Sequence, residues 1–471
     1  MKVNNKKRKP SMIEAIIPVV ILISCIFYAV FIIKADAHIP LLIGAVVTTF
    51  VAIYRLGYTW GEIEKGILSS INGSMQATLT FLTVGLIIGT WILCGTVPAM
   101  IYFGLKIMSP KIFLVATCIM CSIVSLATGS SWTTVGTIGI ALMGIGAVMG
   151  IPLPIVAGAI ISGSYFGDKM SPLSDTTNLA PAMAGATLFE HIKHMLYTTV
   201  PSYVISLVLY GFLSMKYAGS TLDLTVINNI TEAISSSFNI SIILLIPPIL
   251  VIIMVILKKP AIPVLMIGAI LGGVFAVIFQ GATFGEVIVS AHYGYVSNTG
   301  IEVVDNLLTN GGLDNLMWTF SLMLCAMILG GVLDTCGILE VIANGILKFS
   351  RGVAGLITST IFSCIAVCFM TGDQYLGIVI PGKMYKPAYE KLKLHPKNLS
   401  RCLEDSGTLI SPLVPWSSCG AYMATMLGVS TFAYLPFAFL CLLNPIISII
   451  YGITGFTIEK LPEENLEVVE I

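Results

Sequence analysis

Charged residues are scarce in this chain. Only 10% of its 471 residues are Asp, Glu, Lys or Arg, well under half the share in ordinary soluble domains, while 56% are apolar. The 24 Lys and Arg balance the 24 Asp and Glu, which excludes both a basic nucleic-acid-binding surface and a disordered acidic chain. A mean hydropathy of +0.96 therefore predicts a polytopic membrane protein whose surroundings are a lipid bilayer.

Motifs of several other protein classes are absent. The sequence contains no G-x-x-x-x-G-K-[ST], which excludes ATP hydrolysis by a P-loop in this chain, and no HExxH or matched catalytic pair of an intramembrane protease. The eleven cysteines stand within apolar runs rather than at disulfide-framework spacings, and Cys118-x-x-Cys121 favours helix packing over redox or zinc chemistry. We expect neither an enzyme nor a resident cofactor.

The basic N-terminus, residues 1–12, predicts the orientation of the chain. It carries Lys2, Lys6, Lys7, Arg8 and Lys9 directly before an apolar run at 13–33. The positive-inside rule makes this segment cytoplasmic. The run is longer than the ~7–15 apolar residues of a secretory signal peptide, so we expect a retained first helix in the cell membrane.

Apolar runs of bilayer length predict an all-α protein with about 10–12 transmembrane helices. After 13–33, the runs lie at 40–54, 78–95, 111–128, 134–166 (two segments), 195–215, 239–257, 261–280, 315–336, 352–370 and 430–453. The predicted organisation is a first transmembrane repeat at 13–215, a polar connector at 216–238, a second repeat at 239–456 and an acidic C-terminal tail at 457–471.

Short motifs recur in the two halves. Gly89-TWILC-Gly95 parallels Gly331-VLDTC-Gly337 at an offset of 242, and the tripeptides at 127–129 and 370–372 follow at nearly the same offset. The stretch 167–173, GDKMSPL, likewise parallels 407–413, GTLISPL. Several matches in order indicate an internal duplication. With the N-terminus inside and the connector outside, each half crosses the membrane an odd number of times, which predicts inverted repeats with broken or re-entrant segments.

The segment 162–185, SGSYFGDKMSPLSDTTNLAPAMAG, is the most polar stretch at membrane depth in the first half. Its glycines and prolines weaken a continuous helix, and Asp168 and Asp175 lie in its middle. Unwound backbone is tolerated in a membrane where it is buried in protein or lines a wet cavity, where its oxygens can coordinate a hard cation. The alternative is a surface loop. The similar motif in the second half disfavours that alternative. The candidate ligands beside the two carboxylates are Ser171, Ser174 and Thr176, with Lys169 and Asn178 as weaker substrate-binding candidates.

The second-half counterpart is longer. It starts at 371–377, TGDQYLG, continues through a basic stretch at 383–401 and ends with LEDSGTLISPLVPWSSCG at 403–420. We interpret the basic stretch as a cytoplasmic loop, with Arg401 as a weaker candidate partner of Glu404. The ion-binding candidates are Asp373, Glu404, Asp405 and Ser411, and the weaker substrate-binding candidates are Trp416 and Ser417.

Residues 127–139, ATGSSWTTVGTIG, form another polar segment of the first half. Two broken segments that face each other near mid-membrane would form an oxygen-rich site between the repeats. The alternative is that these hydroxyls satisfy their own backbone or hold helices together. The weaker substrate-binding candidates here are Ser130, Ser131, Thr133 and Thr134. We interpret the Gly-x-x-x-Gly pairs 85/89, 146/150 and 268/272 as close helix packing.

Residues 129–137, GSSWTTVGT, and 162–180, SGSYFGDKMSPLSDTTNLA, resemble the signature of the NhaC family of sodium/proton antiporters. That family includes sodium-linked malate/lactate exchangers and lies within a wider ion-transporter superfamily. The resemblance covers essentially the whole chain. It implies an integral inner-membrane antiporter with inverted repeats, a scaffold part and a moving transport part.

The residues supply a mechanism beside that resemblance. Na⁺ favours oxygen ligands, and a buried carboxylate can hold either Na⁺ or a proton, so competition at Asp168 and Asp175 gives antiport of Na⁺ against H⁺. The alternative is Na⁺- and H⁺-coupled exchange of a small carboxylate or an amino acid, received at helix starts after the two Ser-Pro steps. The chain has only four arginines, which disfavours this alternative because arginine is the usual bidentate partner of a carboxylate. Lys169 would have to bind the carboxylate instead. A non-transporting scaffold is a third class. The assembly state is left open between a monomer and a homodimer.

Overall fold

The computed structural model describes residues 7–217, 224–257, 259–301, 304–305 and 308–461. Lys2 and Lys6 of the basic N-terminus and most of the predicted acidic tail lie outside these residues. In the described part the chain is helical, with two isolated backbone bridges and no strand. Helices are the expected result because they satisfy the backbone hydrogen bonds of an apolar segment internally.

Ten helices make up the first half. They are α1 Met12–Phe27, α2 His38–Val51, α3 Trp60–Leu93, α4 Thr96–Ile107, α5 Phe113–Thr128, α6 Ser131–Thr134, α7 Ile140–Val148, α8 Leu153–Met170, α9 Asp175–Ala184 and α10 Leu188–Tyr217. Wider π-helical turns extend α1 over Tyr28–Ile32 and α2 over Ala52–Leu56, and a third at Val135–Gly139 joins α6 to α7. Helix α11, Leu224–Ser237, lies in the predicted connector.

The second half follows a similar order. Its helices are α12 Ile246–Ile256, α13 Ala261–Gln280, α14 Phe284–Tyr293, α15 Met317–Thr335, α16 Ile338–Lys348, α17 Gly352–Thr371, α18 Gln374–Lys391, α19 Pro396–Leu403, α20 Ser418–Leu427, α21 Thr431–Tyr434 and α22 Phe439–Thr454. A π-helical turn at Glu404–Thr408 extends α19. Single 3₁₀ turns lie at Ile242–Leu245, Asp314–Leu316, Ser411–Leu413 and Leu435–Phe437.

Seven helical segments in the described part of the chain are long and apolar enough to cross a membrane. Three bent pairs raise the number to ten if each pair is one span, which is the lower end of the predicted range. The shorter apolar helices α4 and α5 are additional to this number. The prediction of an all-α polytopic membrane protein is confirmed.

Glycines mark equivalent breaks in the two halves. Gly95 separates α3 from α4 with φ 84°, and Gly337 separates α15 from α16 with φ 70°. Gly129 ends α5 with φ 70°, and Gly372 ends α17 with φ 64°. Left-handed backbone favours glycine, since other residues pay a steric cost there. The glycines that recur in the sequence therefore end corresponding helices.

Two glycines at aligned positions of the halves lie at close helix crossings. A Cβ atom on Gly89 of α3 would lie 2.2 Å from the carbonyl oxygen of Ser290 in α14. A Cβ atom on Gly331 of α15 would lie 2.8 Å from the Cα atom of Ile67 in α3. Small residues permit such close approach of helix backbones. Gly89 and Gly331, which the sequence comparison aligns, therefore each lie where helices of the two halves approach closely.

Some predicted breaks lie elsewhere. Gly163 and Gly167 do not interrupt α8: their absent side chains make room for α5, and a Cβ atom on Gly163 would lie 2.2 Å from the carbonyl oxygen of Cys118. The interruption between α8 and α9 is confined to residues 171–174. Gly150 has φ 66° and no atom within 4 Å of a Cβ position, so it serves a turn rather than the predicted helix packing.

The sequence predicts a loop at the basic stretch 383–401, whereas the structure shows that this stretch is mostly helical. Lys383 and Lys386 lie on α18, and Arg401 lies on α19 with its side chain fully buried. Positive charge indicates which side of a membrane a segment faces but does not distinguish a helix from a loop. This correction places a buried cation next to the polar break of the second half.

Candidate functional site

The break between α8 and α9 places donors around the Asp168 carboxylate. The hydroxyl of Ser131, at the start of α6, donates to Oδ2 at 2.6 Å, and its backbone N–H donates to the same oxygen at 3.3 Å. Ser174 donates its hydroxyl to Oδ1 at 2.7 Å instead of capping α9. Asp168 is 5% exposed. In the described part of the chain no Lys, Arg or His nitrogen lies within 4 Å of this carboxylate.

Hydroxyl groups link Asp168 to the second half. The hydroxyl oxygen of Ser174 lies 3.1 Å from that of Thr176, and Thr176 donates to Oε1 of Glu404 at 3.0 Å. Glu404 is fully buried in the π-helical turn after α19. Its Oε2 atom has no hydrogen-bond partner among the described residues.

Lys169 points away from Asp168, into an ion pair with Asp405. Both side chains are fully buried, and the contact is a short hydrogen bond from Nζ to Oδ1. Nζ also donates to the amide oxygen of Asn444 at 3.1 Å, and Thr198 donates to the same Asp405 oxygen at 3.0 Å. The pair therefore joins α8 of the first half to the polar turn of the second.

Arg401 lies near Asp405. Its Nε atom is 4.0 Å from Oδ2 of Asp405, and its Nη1 atom donates to the hydroxyl of Thr457 at 2.8 Å. The predicted pairing of Arg401 with Glu404 is not observed: spacings of three and four residues both allow such a pair, but the Glu404 carboxylate accepts the Thr176 hydroxyl and Arg401 lies nearer Asp405.

Asp373 and Ser130 hold equivalent positions as N-caps. Oδ1 of Asp373 accepts the N–H of Leu376 at 2.8 Å at the start of α18, and its Oδ2 accepts the hydroxyl of Ser74 at 2.9 Å. Ser130 accepts the N–H of Thr133 at 3.1 Å at the start of α6. N-cap side chains satisfy the free N–H groups of a first helical turn, which explains Ser or Asp directly after the helix-ending glycines.

Asp175 connects the halves at a more exposed position. It is the first residue of α9, and its Oδ1 atom accepts the N–H of Thr176 at 2.9 Å. The Tyr375 hydroxyl on α18 makes a short hydrogen bond to Oδ2.

These groups border a central cavity of about 520 Å³. The predicted residues in its lining are Asp168, Asp175, Asp373, Ser130 and Thr133. The starts of α6, α9, α18 and α20 border it together, and helix N-termini carry partial positive charge. The carboxylates and hydroxyls of the cavity are oxygen ligands that suit a hard cation, whereas the helix N-termini favour an anionic group.

The other predicted site residues lie outside the cavity lining. Ser131, Ser174, Thr176 and Glu404 form the hydrogen-bond network around Asp168, and Lys169 pairs with Asp405. Ser171 accepts the N–H of Leu173, and the hydroxyl of Ser411 is buried without a partner among the described residues. Four more bond to backbone groups: Thr134 to Ser130, Asn178 to Ser174, Trp416 to Phe369 and Ser417 to Gly420. Their binding roles stay predictions.

Several lining residues were missed by the sequence reasoning. Ser74, Gln76 and Thr80 lie in α3 near a 40° bend, and the polar stretch 69–78 within an apolar region was the available signal. Gln374 and Cys419 follow the helix starts of the second half. Lys259, which follows the apolar run 239–257, also lines the cavity.

Comparisons with known proteins agree with this architecture. The sequence model described as the Na⁺/H⁺ antiporter family matches residues 163–456. The chain is 40% identical over 442 residues to the Na⁺/H⁺ antiporter NhaC of Alkalihalophilus pseudofirmus, covering 93% of this chain and 95% of the relative. It is also 39% identical to the malate-2H⁺/Na⁺-lactate antiporter of Bacillus subtilis, covering 95% and 96% of the two chains.

A third relative is named for a different substrate. The arginine/ornithine antiporter ArcD of Halobacterium salinarum is 36% identical over 464 residues, which cover 98% of this chain and 96% of the relative. These relatives are antiporters, that is, transporters rather than enzymes. The family match covers more than half of the chain, and the identities extend over nearly all of it. The resemblance inferred from the two motifs is confirmed: the chain belongs to the Na⁺/H⁺ antiporter family of multi-pass membrane proteins.

Proposed function

We propose that this protein exchanges Na⁺ for H⁺ across the cell membrane and that Asp168 binds the two ions in turn. The observation that carries the proposal is a carboxylate, 5% exposed, in the wall of the central cavity with no cationic side chain within 4 Å among the described residues. A buried ionised carboxylate is costly unless it is paired. A proton or a Na⁺ ion compensates its charge equally well, so the two ions compete.

The neighbouring hydroxyls fit either occupant. Ser131 and Ser174 now donate to the carboxylate. A hydroxyl also offers lone pairs, so rotation about its C–O bond lets the same groups coordinate Na⁺ together with Asp168. Asp373 and Ser130, at the equivalent N-caps, are further oxygen ligands within the cavity wall. Lys169 does not neutralise Asp168 because its Nζ atom is engaged by Asp405.

The orientation follows from the N-terminal segment. Lys7 pairs with Glu62 and Lys9 with Glu340, each at 3.2 Å, so the basic N-terminus lies beside the starts of α3 and α16. Positive charge favours the cytoplasmic side. We place these helix starts in the cytoplasm, with the two halves as inverted repeats and with no cofactor in the reaction. Homodimerisation stays a prediction.

The test is exchange in proteoliposomes. We expect wild-type protein to dissipate an imposed pH gradient when NaCl is added. We expect Asp168→Asn to lose this response because a neutral amide neither binds a proton nor pairs with Na⁺. Asp314→Asn, an exposed acid outside the cavity, is the matched control and retains the wild-type response. Full exchange by Asp168→Asn would refute the proposal.

A second candidate function is coupled exchange of a small carboxylate or an amino acid. The cavity of about 520 Å³ is far larger than the ~30 Å³ that one water molecule occupies. Lys259 lines it together with Gln76 and Gln374, and these groups can bind a carboxylate, the role that the sequence gave to Lys169. Under this function, NaCl alone leaves the imposed pH gradient unchanged until lactate, malate or arginine is added. Lys259→Gln then raises the KM for the organic substrate. Unchanged Na⁺ responses with and without these solutes would exclude it.

A further inference from the structure

A second cavity adjoins the central one. It has a volume of about 250 Å³ and shares four lining residues with the central cavity, including Ser74, Asp373 and Tyr375. Its remaining wall is formed by residues at the end of α15 and in the first half of α3, including Asp334 and Ser70. Asp373 therefore stands where the two cavities meet, and a solute in the second cavity reaches the same carboxylate as one in the central cavity.

The mouth of the second cavity carries a free carboxylate. Asp334 is exposed, and none of its side-chain oxygens has a hydrogen-bond or ion-pair partner within the part of the chain described. Lys383 and Glu340 are the charged side chains that act on it, and Lys383 forms no ion pair with it within 4 Å. Asp334 is also the penultimate residue of α15, where the carbonyl end of a helix adds partial negative charge. Both features attract cations.

An exposed charged residue at the central cavity has the opposite sign to Asp334. Lys259 lines it and is exposed, while the Asp175 carboxylate at its edge accepts the Tyr375 hydroxyl. A cation that approaches through this opening meets an ammonium group, whereas one that approaches through the second cavity meets a carboxylate. Charge at the mouth of a cleft changes the local concentration and the on-rate of an ion.

We propose that Na⁺ reaches the exchange site from the cytoplasm through the second cavity, with Asp334 as the residue that selects cations at its mouth. The path runs from Asp334 past Ser70 to Asp373 and then into the central cavity at Asp168. Asp334 is a positioning residue that gathers the ion and does not hold it during exchange. The inference rests on the proposed Na⁺/H⁺ exchange. The cytoplasmic side follows from Glu340, six residues after Asp334, which pairs with Lys9 of the N-terminal segment.

The kinetic test compares Asp334→Asn and Asp334→Lys with Glu340→Gln, which removes a nearby acid outside both cavities. Everted vesicles expose the cytoplasmic face to Na⁺. At low ionic strength we expect the neutral variant to raise the KM for Na⁺ by about threefold or more and the charge reversal to raise it further, with Vmax at saturating Na⁺ unchanged. We expect the increase to shrink as salt screens the charge. A KM within twofold of wild type in both Asp334 variants would overturn the proposal.

A second measurement does not depend on the charge of Asp334. Ser70→Cys places a thiol inside the second cavity, and ten of the eleven native cysteines are buried. Modification by a bulky cationic thiosulfonate is expected to block Na⁺ uptake from the cytoplasmic side, whereas the same treatment of Ser350→Cys, outside both cavities, does not. Undiminished transport by the modified Ser70→Cys protein contradicts the path. Loss of exchange in Asp168→Asn, with normal behaviour of the Asp334 and Ser70 variants, would refute the path alone and leave the proposed exchange intact.

Discussion

Lys169 and Asp405 form a fully buried ion pair across the two halves of the protein. Among the described residues, Asp168, the residue before Lys169, accepts hydrogen bonds from hydroxyl and backbone N–H donors alone. Asp168 and Lys169 are therefore neighbours in α8 that differ in charge compensation: the lysine charge is neutralised by another side chain, and the carboxylate charge is not. The pair holds α8 in place while it leaves the Asp168 charge for an ion to compensate.

Removal of one member of this pair should destabilise the fold. Lys169→Met removes the shorter ion pair of Asp405 and leaves Arg401 at 4.0 Å as its remaining cation, so the cost should lie at or below the about 3–5 kcal/mol of an uncompensated buried charge. We expect a fall in the unfolding temperature of the purified protein by several degrees. The double substitution Lys169→Met with Asp405→Leu should cost less than the sum of the two single substitutions, because it removes both charges of the pair, although it leaves the buried Arg401 with no carboxylate within 4 Å among the described residues. Purely additive losses in the double variant would show that the pair is not coupled.

The close packing of α5 on α8 gives a second prediction. Gly163→Ala places a Cβ atom 2.2 Å from the carbonyl oxygen of Cys118, so the helices must separate, at a cost of about 1–3 kcal/mol. Gly61→Ala on α3 is the matched control, since no atom lies within 4 Å of its Cβ position, and alanine favours a helix over glycine. Thermal unfolding should therefore show a decrease for the first variant and none for the second. Equal unfolding temperatures would mean that the helices do not pack this closely.

The Asp305 carboxylate organises the connection between α14 and α15. Its pKa is lowered, first by the N–H of Thr299 and then by the hydroxyls of Ser297 and Thr299 and the N–H of Gly300. A lowered folded-state pKa means that the stabilisation is present above the unfolded value of about 3.9 and is lost as the pH falls through the lower folded value.

Hydrogen exchange can follow this connection. The N–H groups of Thr299 and Gly300 should be protected at pH 6 and lose protection below about pH 4, beyond the intrinsic pH dependence of exchange. Asp305→Asn should abolish this change with pH and lower protection at pH 6. Protection in the variant that matches wild type at both pH values would exclude a role for the carboxylate.

The sequence predicted the membrane class and the polar breaks, because hydropathy, glycine spacing and clustered oxygens are local properties of the chain, whereas the duplication stays a prediction. The positions of Asp168 and Asp373 beside the polar breaks were predictable for the same reason. Lys259 was not, since it stands beside an apolar run and joins the cavity only through packing of distant helices. The pairing of Lys169 with Asp405 likewise depends on a contact 236 residues apart.

The central claim is that one carboxylate, Asp168, binds Na⁺ and H⁺ in turn. The most direct measurement is the KM for Na⁺ as a function of pH on the Na⁺-loading side, with proteoliposomes of wild type. Competition for a single site predicts that, in the acidic range, the KM rises about tenfold for each unit of pH decrease while Vmax at saturating Na⁺ stays constant. A KM that is independent of pH while Vmax falls would contradict the account, because H⁺ would then act at a site that Na⁺ does not occupy.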